Sequence, residues 1–177
     1  MTTLSAQTAA AVPAITWTWA AFDDLSLRDL YDALQLRARV FILEQGPYLD
    51  PDGLDLQSWH LLGRDAASGR LLLYLRIVAP GLKYAEPSIG RLVSDAGVRG
   101  LGLGRLLTAE GVARCLATYP GQGIRISAQA HLERFYGGFG FEGVGEPYLE
   151  DGIAHLEMVK RASAPALPAQ AFKEETR

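Results

Sequence analysis

Hydrophobic positions along the chain follow two periods, and each change of period predicts a new element of secondary structure. Ile15, Trp17 and Trp19 occupy every second position, which predicts a first strand. In the segment that follows, SLRDLYDALQLRARVFILEQ, apolar residues recur at the spacing of a helix face, and Asp24 or Ser26 could cap its start. The chain is therefore expected to begin with a strand and an amphipathic helix.

The rest of the chain alternates in the same way after a loop rich in glycine, proline and aspartate, GPYLDPDGLDLQ. Two apolar runs around DAASG predict a β-hairpin, and SIGRLVS predicts a further strand. LGRLLTAEGVARCLATY predicts a helix, IRISAQA a strand, and LERFYGGFG a short helix closed by glycines. The last two strands flank Asp151 and Gly152, a pair that favours a tight hairpin turn. The order β, α, loop, β, β, β, α, β, α, β, β predicts one α/β domain with a single sheet flanked by helices.

Chain length and the composition of the two ends set the expected domain boundaries. A chain of 177 residues is long enough for one domain and too short for two ordinary ones. Residues 15–161 are predicted to form the domain, residues 1–14 a flexible leader, and the Ala- and Pro-rich residues 162–177 a disordered tail. The sequence has no secretory signal and no apolar run near the roughly 20 residues that span a bilayer. No membrane partner and a cytoplasmic location are therefore expected.

Charge and cysteine content argue against several classes of function. The formal net charge of −3 argues against a nucleic-acid partner, which generally requires a basic surface. Cys115 is the only cysteine, so neither an internal disulfide nor a cysteine-based zinc site can form. The segment DPDGLD fails as a calcium loop, because Leu54 stands at a ligand position and the closing glutamate is missing. No metal is expected.

The segment RGLGLGRLL, from Arg99 to Leu107, lies between a predicted strand and a predicted helix. Free amides at a helix start favour an anion there, and glycines let the backbone approach it closely. The segment lacks the Lys-Ser or Lys-Thr of a P-loop, and Arg105 replaces the last glycine of a dinucleotide fingerprint. Spacing alone leaves two alternatives open: another phosphate-bearing ligand, or a turn without a ligand.

RGLGLG and the downstream segment AQAHLERFYGGFGFEGVG together carry a resemblance to a known family. The first is similar to the R/Q-x-x-G-x-G/A signature of the GCN5-related N-acetyltransferases (GNAT), and the second resembles that family's A-x-x-x-x-x-F-Y-x-x-x-G-F motif. Three further segments, RARVFILEQGPYLDPDGLDLQSWHL, LKYAEPSIGRLVS and YLEDGIAHLEM, look like the ElaA-type subgroup. The resemblance implies a single-domain α+β GNAT fold with a mixed, mostly antiparallel sheet, and acetyl-CoA as co-substrate.

The resemblance also implies roles for individual residues. The glycine loop, residues 99–107, is implied to hold the pyrophosphate of acetyl-CoA, mainly through the amides of residues 101–105. The strand before it is implied to pair with the pantetheine arm. The cofactor-binding residues expected on this basis are Leu92, Val93, Arg99, Gly100, Leu101, Gly102, Leu103, Gly104, Arg105 and Tyr136. Tyr136, at the F-Y position, is implied to protonate the leaving thiolate, whereas its type alone is equally compatible with aromatic packing.

An amine attacks a thioester only when it is neutral, so a proton acceptor is expected beside the acceptor amine. SIGRLVS carries no carboxylate, although many relatives have a glutamate on this strand. Glu44 is the first candidate base and His155, because histidine titrates near neutrality, is the second. Asp52, between Asp50 and Asp55, could form an acidic mouth that attracts a cationic acceptor. The alternatives are a solvated carboxylate, a half-buried histidine and side chains that only stabilise a turn.

Three hypotheses of function stay open from the sequence. The first is an N-acetyltransferase that moves an acetyl group from acetyl-CoA to a primary amine of a small molecule or peptide, in a ternary complex. The second is a non-catalytic GNAT-fold sensor or interaction module that binds acyl-CoA. The third is a relative of acyl-homoserine-lactone synthases, which share an R-x-x-V-F-like segment, residues 37–41 here. A homodimer is compatible with each.

Overall fold

A computed structural model describes residues 11–46 and 48–162, and it confirms the predicted order of elements. The strands are β1 (Ile15–Ala21), β2 (Ser58–Asp65), β3 (Leu71–Val78), β4 (Ser88–Ser94), β5 (Ile124–Gln129), β6 (Glu142–Glu150) and β7 (Ile153–Lys160). The helices are α1 (Leu27–Arg37), α2 (Leu103–Thr118) and α3 (Glu133–Gly137). Most of the predicted leader and nearly all of the predicted tail lie outside the described residues.

All seven strands form one sheet in the order β1-β2-β3-β4-β5-β7-β6. Every neighbouring pair is antiparallel except β4 and β5, so the predicted mixed, mostly antiparallel sheet is confirmed. β4 and β5 pair only at Ser88 and Arg125, near the start of each strand. Beyond that pair the two strands are no longer paired, so the sheet is open in its middle.

A bulge in β4 accompanies this opening. Arg91 and Leu92 together lie opposite the single residue Leu75 of β3, and Arg91 has a φ of +52°. The extra residue reverses the side-chain alternation, because a strand has a period of two. Ile89 therefore packs toward α2, whereas Val93 packs toward α1.

The two long helices cover opposite faces of the sheet. α2 packs on Leu61, Leu73 and Leu75, and α1 packs on Leu62 and Tyr74, so the side chains of β2 and β3 are buried alternately on both sides. α2 comes close enough to β3 that a Cβ on the helix residue Gly111 would overlap Leu75. Within the described residues, no helix is both long and apolar enough to cross a membrane.

The first helix begins at one of its two predicted caps but differs from its prediction at the other end. Ser26, not Asp24, is its N-cap, with Oγ accepting from the amide of Asp29 at 3.0 Å. At the other end, α1 passes into a π-helix over Ala38–Ile42. After this π-helix the chain reaches Glu44, which lies beside the open middle of the sheet.

Three arginines and three aspartates fix the loop of residues 48–57 onto the sheet. This Arg–Asp network consists of Arg37, Arg76, Arg91, Asp50, Asp52 and Asp55. Arg37, only 1% exposed, donates to Asp50 at 2.8 Å and to Asp55 at 2.9 Å. Burying one of these charges is favourable only with its partners in place, so the network joins α1 to an otherwise irregular loop.

The two other arginines complete the network from neighbouring strands. Arg76 of β3 donates to Asp55 at 2.8 Å and binds Asp52 through both terminal nitrogens. Arg91 donates to Asp50 at 2.7 Å and to Asp52 at 3.1 Å. Burial raises the pKa of the Asp52 and Asp55 carboxyls, but the arginine hydrogen bonds more than offset it, so both pKa values lie below the usual range.

A buried histidine lies under the same loop. His60 Nε2 is 3.0 Å from the carbonyl oxygen of Asp55, and Nδ1 is 2.8 Å from the Tyr74 hydroxyl. A carbonyl only accepts, so Nε2 carries the hydrogen and Nδ1 accepts from Tyr74. Burial, together with the charges of nearby arginines, lowers the pKa of His60 and keeps the ring neutral.

Arg37→Ala should destabilise the protein by about 3–5 kcal/mol, because it leaves buried carboxylates short of a partner. Arg70→Ala is the matched control: Arg70 also pairs with an aspartate, Asp95, but its side chain is 58% exposed. Its loss should change stability by about 1 kcal/mol or less. Urea unfolding of both variants measures the difference, and equal losses would contradict the role given to the network.

Lowering the pH from about 7.5 to about 5.5 should reduce the free energy of unfolding. His60 has a lowered pKa in the folded state, so below about pH 6.5 the unfolded chain binds more protons. His60→Gln keeps a donor for the Asp55 carbonyl and should flatten this pH dependence. Urea unfolding at several pH values measures this dependence. If the unfolding free energy of the variant changed with pH as steeply as that of the parent, the role given to His60 would be contradicted.

Candidate functional site

A cleft opens where β4 and β5 separate. Its volume is about 810 Å³, and it reaches from the glycine loop before α2 to the turn between β6 and β7. One wall is the π-helix with the loop that follows it, and the opposite wall is the half-sheet of β5, β7 and β6. Among the residues predicted from sequence, the cleft is lined by Leu92, Val93, Arg99, Tyr136, Glu44, Asp52 and His155.

The glycine loop enters α2 without a side-chain cap. Gly100 and Gly102 both have a φ of +79°, a left-handed conformation that favours glycine, and Gly102 is the N-cap of the helix. Within the described residues, the amides of Leu103 and Gly104 have no backbone acceptor. The amide of Arg105 differs from the expectation, because it donates to the Gly102 carbonyl at 3.0 Å. The uncapped amides and the helix dipole make this end of α2 suitable for an anion.

The surface around the loop leaves room for a phosphate group. A Cβ built on Gly100, Gly102 or Gly104 would meet no atom within 4 Å. The Arg105 guanidinium lies 5.1 Å from the centre of the Phe139 ring, so it faces the segment after α3. Open space, free amides and nearby guanidinium groups fit the pyrophosphate of a coenzyme A thioester.

The β4 side of the cleft offers unpaired backbone. β4 is bonded to β3 along one edge, but its other edge has lost β5 after Ser88. The backbone of Leu92 and Val93 therefore borders the cleft, as expected for the arm of an extended thiol cofactor. Val93 is buried against α1, so its side chain stabilises this edge and its backbone faces the opening.

Tyr136 lies across the cleft from β4 on α3. Its ring packs edge-on against Phe135 at 5.1 Å and Phe141 at 6.1 Å. Burial raises the pKa of the Tyr136 hydroxyl to about 12, so the group is protonated at neutral pH. Tyr136 therefore packs against its aromatic neighbours and also lines the cleft.

Glu44 and Arg99, predicted for different tasks, form an ion pair. Arg99 Nη1 is 2.8 Å from Glu44 Oε2, and Nη2 is 3.1 Å from Oε1. The next residue, Gln45, accepts from Gln129 Nε2 at 3.2 Å. Two successive residues after the π-helix therefore tie it to the glycine loop and to the end of β5.

The carboxylates of the predicted acidic mouth are paired with arginines. Asp50 and Asp55 are buried, and Asp52, although it lines the cleft, is bound by Arg76 and Arg91. The loop carries turn hydrogen bonds as well, since the amide of Leu54 donates to Asp52 at 3.1 Å. The sequence did not reveal the arginines, because they come from three separate elements.

His155 of β7 lines the cleft on the side of the half-sheet. Its ring is half-buried, and Nδ1 is 2.9 Å from the carbonyl oxygen of Ile153. Tyr148 of β6 lies beside it, with the ring centres 6.2 Å apart. His155 therefore points into the same cleft as Tyr136, from the opposite face of the sheet.

Sequence reasoning missed three polar residues of this half-sheet, Ser127, Tyr148 and Glu150. Ser127 Oγ donates to Glu150 at 2.9 Å and lies 2.6 Å from the Tyr148 hydroxyl. The signal for Ser127 was the alternation of IRISAQ, in which Ser127 lies between the buried residues Ile126 and Ala128. Across the described part of the chain, no group of three or more histidine, cysteine or acidic side chains is arranged to hold a metal ion.

Comparison with known proteins identifies the family. Residues 76–162 match the acetyltransferase (GNAT) domain family. A UPF0039 protein of Synechocystis is 46% identical over 83% of this chain and 96% of its own length. ElaA of Escherichia coli is 38% identical over 82% of this chain and 96% of its own.

Solved structures agree with the sequence comparison. The crystal structure of an acyl-CoA N-acyltransferase from Pseudomonas aeruginosa has a TM-score of 0.79 and 41% identity, covering 83% of this chain and 99% of that one. The crystal structure of Escherichia coli ElaA has a TM-score of 0.78 and covers 84% of this chain and 100% of that one. The chain therefore belongs to the GNAT family of acyl-CoA-dependent N-acetyltransferases, alongside relatives named ElaA and UPF0039.

Proposed function

We propose that this protein transfers the acetyl group of acetyl-CoA directly to a primary amine of a small molecule or peptide, with both substrates bound at once. The observation that carries the proposal is the cleft between β4 and β5, which is lined by Arg99, three residues before the N-cap of α2, and by Tyr136. Acetyl-CoA supplies an activated thioester. The chain's residues bind it, orient the amine and move protons.

The glycine loop is proposed to bind the pyrophosphate. The free amides of Leu103 and Gly104 and the positive end of the α2 dipole attract the anion, and the glycines leave space for it. Arg99, which keeps its ion pair with Glu44, would add positive charge beside the loop. Leu92 and Val93 would present backbone groups to the pantetheine arm.

Tyr136 is proposed as the general acid. A hydroxyl with a pKa near 12 keeps its proton at neutral pH, so it can donate a hydrogen bond to the sulfur as negative charge develops there. Surrounding aromatic rings hold the hydroxyl in place and exclude water. Loss of the hydroxyl should therefore slow the chemical step more than binding.

Glu44 is a candidate base on the acceptor side of the cleft, under one condition. Both of its carboxylate oxygens accept from Arg99, so it would act as a base only after that pair separates. Asp52 is proposed to shape the acceptor side through its bonds to Arg76 and Arg91 rather than by free charge. The absence of a carboxylate on β4 is the observation that keeps a non-catalytic acyl-CoA sensor as the second candidate.

Gly102→Val should weaken acetyl-CoA binding by at least about tenfold, equivalent to 1.4 kcal/mol, because its side chain would fill the space for the pyrophosphate. Gly121→Val is the matched control: Gly121 has a φ of +77° and equally open surroundings, but it lies at the far end of α2. Gly104→Val repeats the test without a positive φ. Calorimetric titration measures the affinities, and unchanged binding in both loop variants would refute the assignment.

The wild-type protein should release coenzyme A thiol from acetyl-CoA when given a panel of n-butylamine, lysine amide and short peptides. Tyr136→Phe should lower kcat by about 10²–10⁴-fold and leave acetyl-CoA affinity unchanged, since only a transferable proton is lost. Tyr31→Phe, on the exposed surface of α1, is the control. No release above hydrolysis with any amine would favour the sensor, and an unchanged rate in Tyr136→Phe would remove its role as acid.

A further inference from the structure

We propose that His155 is the general base of the transfer, with Nε2 as the atom that takes the proton lost by the amine. The inference rests on the proposed function and deepens it, because it assigns the acceptor to one side of the cleft. Three observations carry it: the tautomer of the ring, its place beside the separated strands, and the engagement of the competing carboxylates.

The tautomer follows from one hydrogen bond. Nδ1 of His155 is 2.9 Å from the carbonyl oxygen of Ile153. A carbonyl oxygen accepts and cannot donate, so Nδ1 carries the hydrogen. In the neutral ring Nε2 then has a free lone pair, and within the described residues no hydrogen-bond donor is bonded to it. The backbone therefore presets the ring as a proton acceptor.

The position of His155 places that lone pair at the opening of the sheet. In the pairing of β5 with β7, His155 lies opposite Gln129, the last residue of β5 and the one farthest from the contact with β4. Gln129 is also tied to Gln45 across the cleft. His155 is thus one strand away from the gap in which the thioester is proposed to lie. It faces the side covered by α1, not the side covered by α2.

The carboxylates of the cleft are weaker candidates, because most are already bonded. Glu44 accepts two hydrogen bonds from Arg99, and Asp52 is bound by two arginines of the Arg–Asp network. Glu150 accepts from Ser127 at 2.9 Å. Glu44 and Asp52 would have to give up an arginine contact to take a proton, whereas Nε2 of His155 has no partner to leave among the described residues.

His155 and Tyr136 together move the protons in this step. As the amine nitrogen bonds to the carbonyl carbon, the carbon–sulfur bond breaks and leaves its electron pair on sulfur. Nε2 of His155 takes one proton from the bound ammonium and passes it to solvent before the attack. During the attack Nε2 takes the second proton from nitrogen, and Tyr136 gives its hydroxyl proton to sulfur. The imidazolium then returns a proton to the tyrosine through solvent, so no other reactant is consumed.

His155→Asn is the decisive variant, because the asparagine amide can still donate to the Ile153 carbonyl but offers no basic nitrogen. With n-butylamine it should lose about 10²–10⁴-fold in kcat, and its affinity for acetyl-CoA should not change. His131→Asn is the matched control, since His131 also lines the cleft but is exposed, and it should retain the parent activity. A kcat for His155→Asn equal to that of the parent would overturn the proposal.

Two further measurements separate a base from a structural residue. Hydroxylamine is uncharged at neutral pH, so its acetylation should be less impaired by His155→Asn than that of n-butylamine. Added imidazole should restore part of the activity of His155→Ala. An equal loss with both acceptors together with no rescue would mark His155 as structural and overturn the proposal.

Nuclear magnetic resonance of the ¹⁵N-labelled protein tests the tautomer without any turnover. The Nδ1–H form is expected for His155, and a ring protonated on Nε2 instead would overturn the proposal. Failure of the proposed function looks different: the wild-type protein would then bind acetyl-CoA and release no thiol with any amine, whatever residue stands at position 155.

Discussion

The separation of β4 from β5 is the constraint on which the rest of the structure depends. A strand in the middle of a sheet normally pairs along both edges, because unpaired backbone groups are costly to bury. Here β4 and β5 share one residue pair, so the open edges must face a cleft wide enough for a ligand. On one face α2 spans the opening, because it contacts β3, β4 and β5. The bulge at Arg91 and Leu92 lets β4 contribute side chains to the cores on both faces of the sheet.

The opening also gives the two faces of the sheet different chemical surroundings. The glycine loop, α2 and Tyr136 lie with the apolar core on one face, which suits an elongated thioester with a buried sulfur. On the other face, α1 covers only the strands up to β4, and Ser127 and His155 are left at the cleft. In the proposed reaction, an acceptor that approaches from this polar side would meet the thioester through the gap. One break in a sheet therefore creates two chemically different half-sites.

Most of the fold and the ligand loop could be predicted from the sequence, because periodicity and glycine spacing are local. Each strand and helix falls within its predicted segment, and RGLGLG lies at the uncapped start of α2. The partners of charged side chains could not be predicted in this way. Glu44 and Arg99 are far apart in the chain, and the three aspartates are neutralised by arginines of α1, β3 and β4. Such pairs depend on tertiary contacts that no local pattern records, and they change what a carboxylate can do.

The Arg–Asp network has a consequence for motion as well as for charge. The loop of residues 48–57 has little regular structure, which elsewhere would make it free to fluctuate. If the loop moved outward, Arg37 and Arg76 would lose hydrogen bonds while both stayed buried. The free-energy cost would be comparable to a large part of a domain's total stability. The loop is thus part of the cooperative folding unit, and its amides should exchange with solvent at the pace of global unfolding rather than of local fraying. One wall of the cleft is in this sense as rigid as the sheet itself.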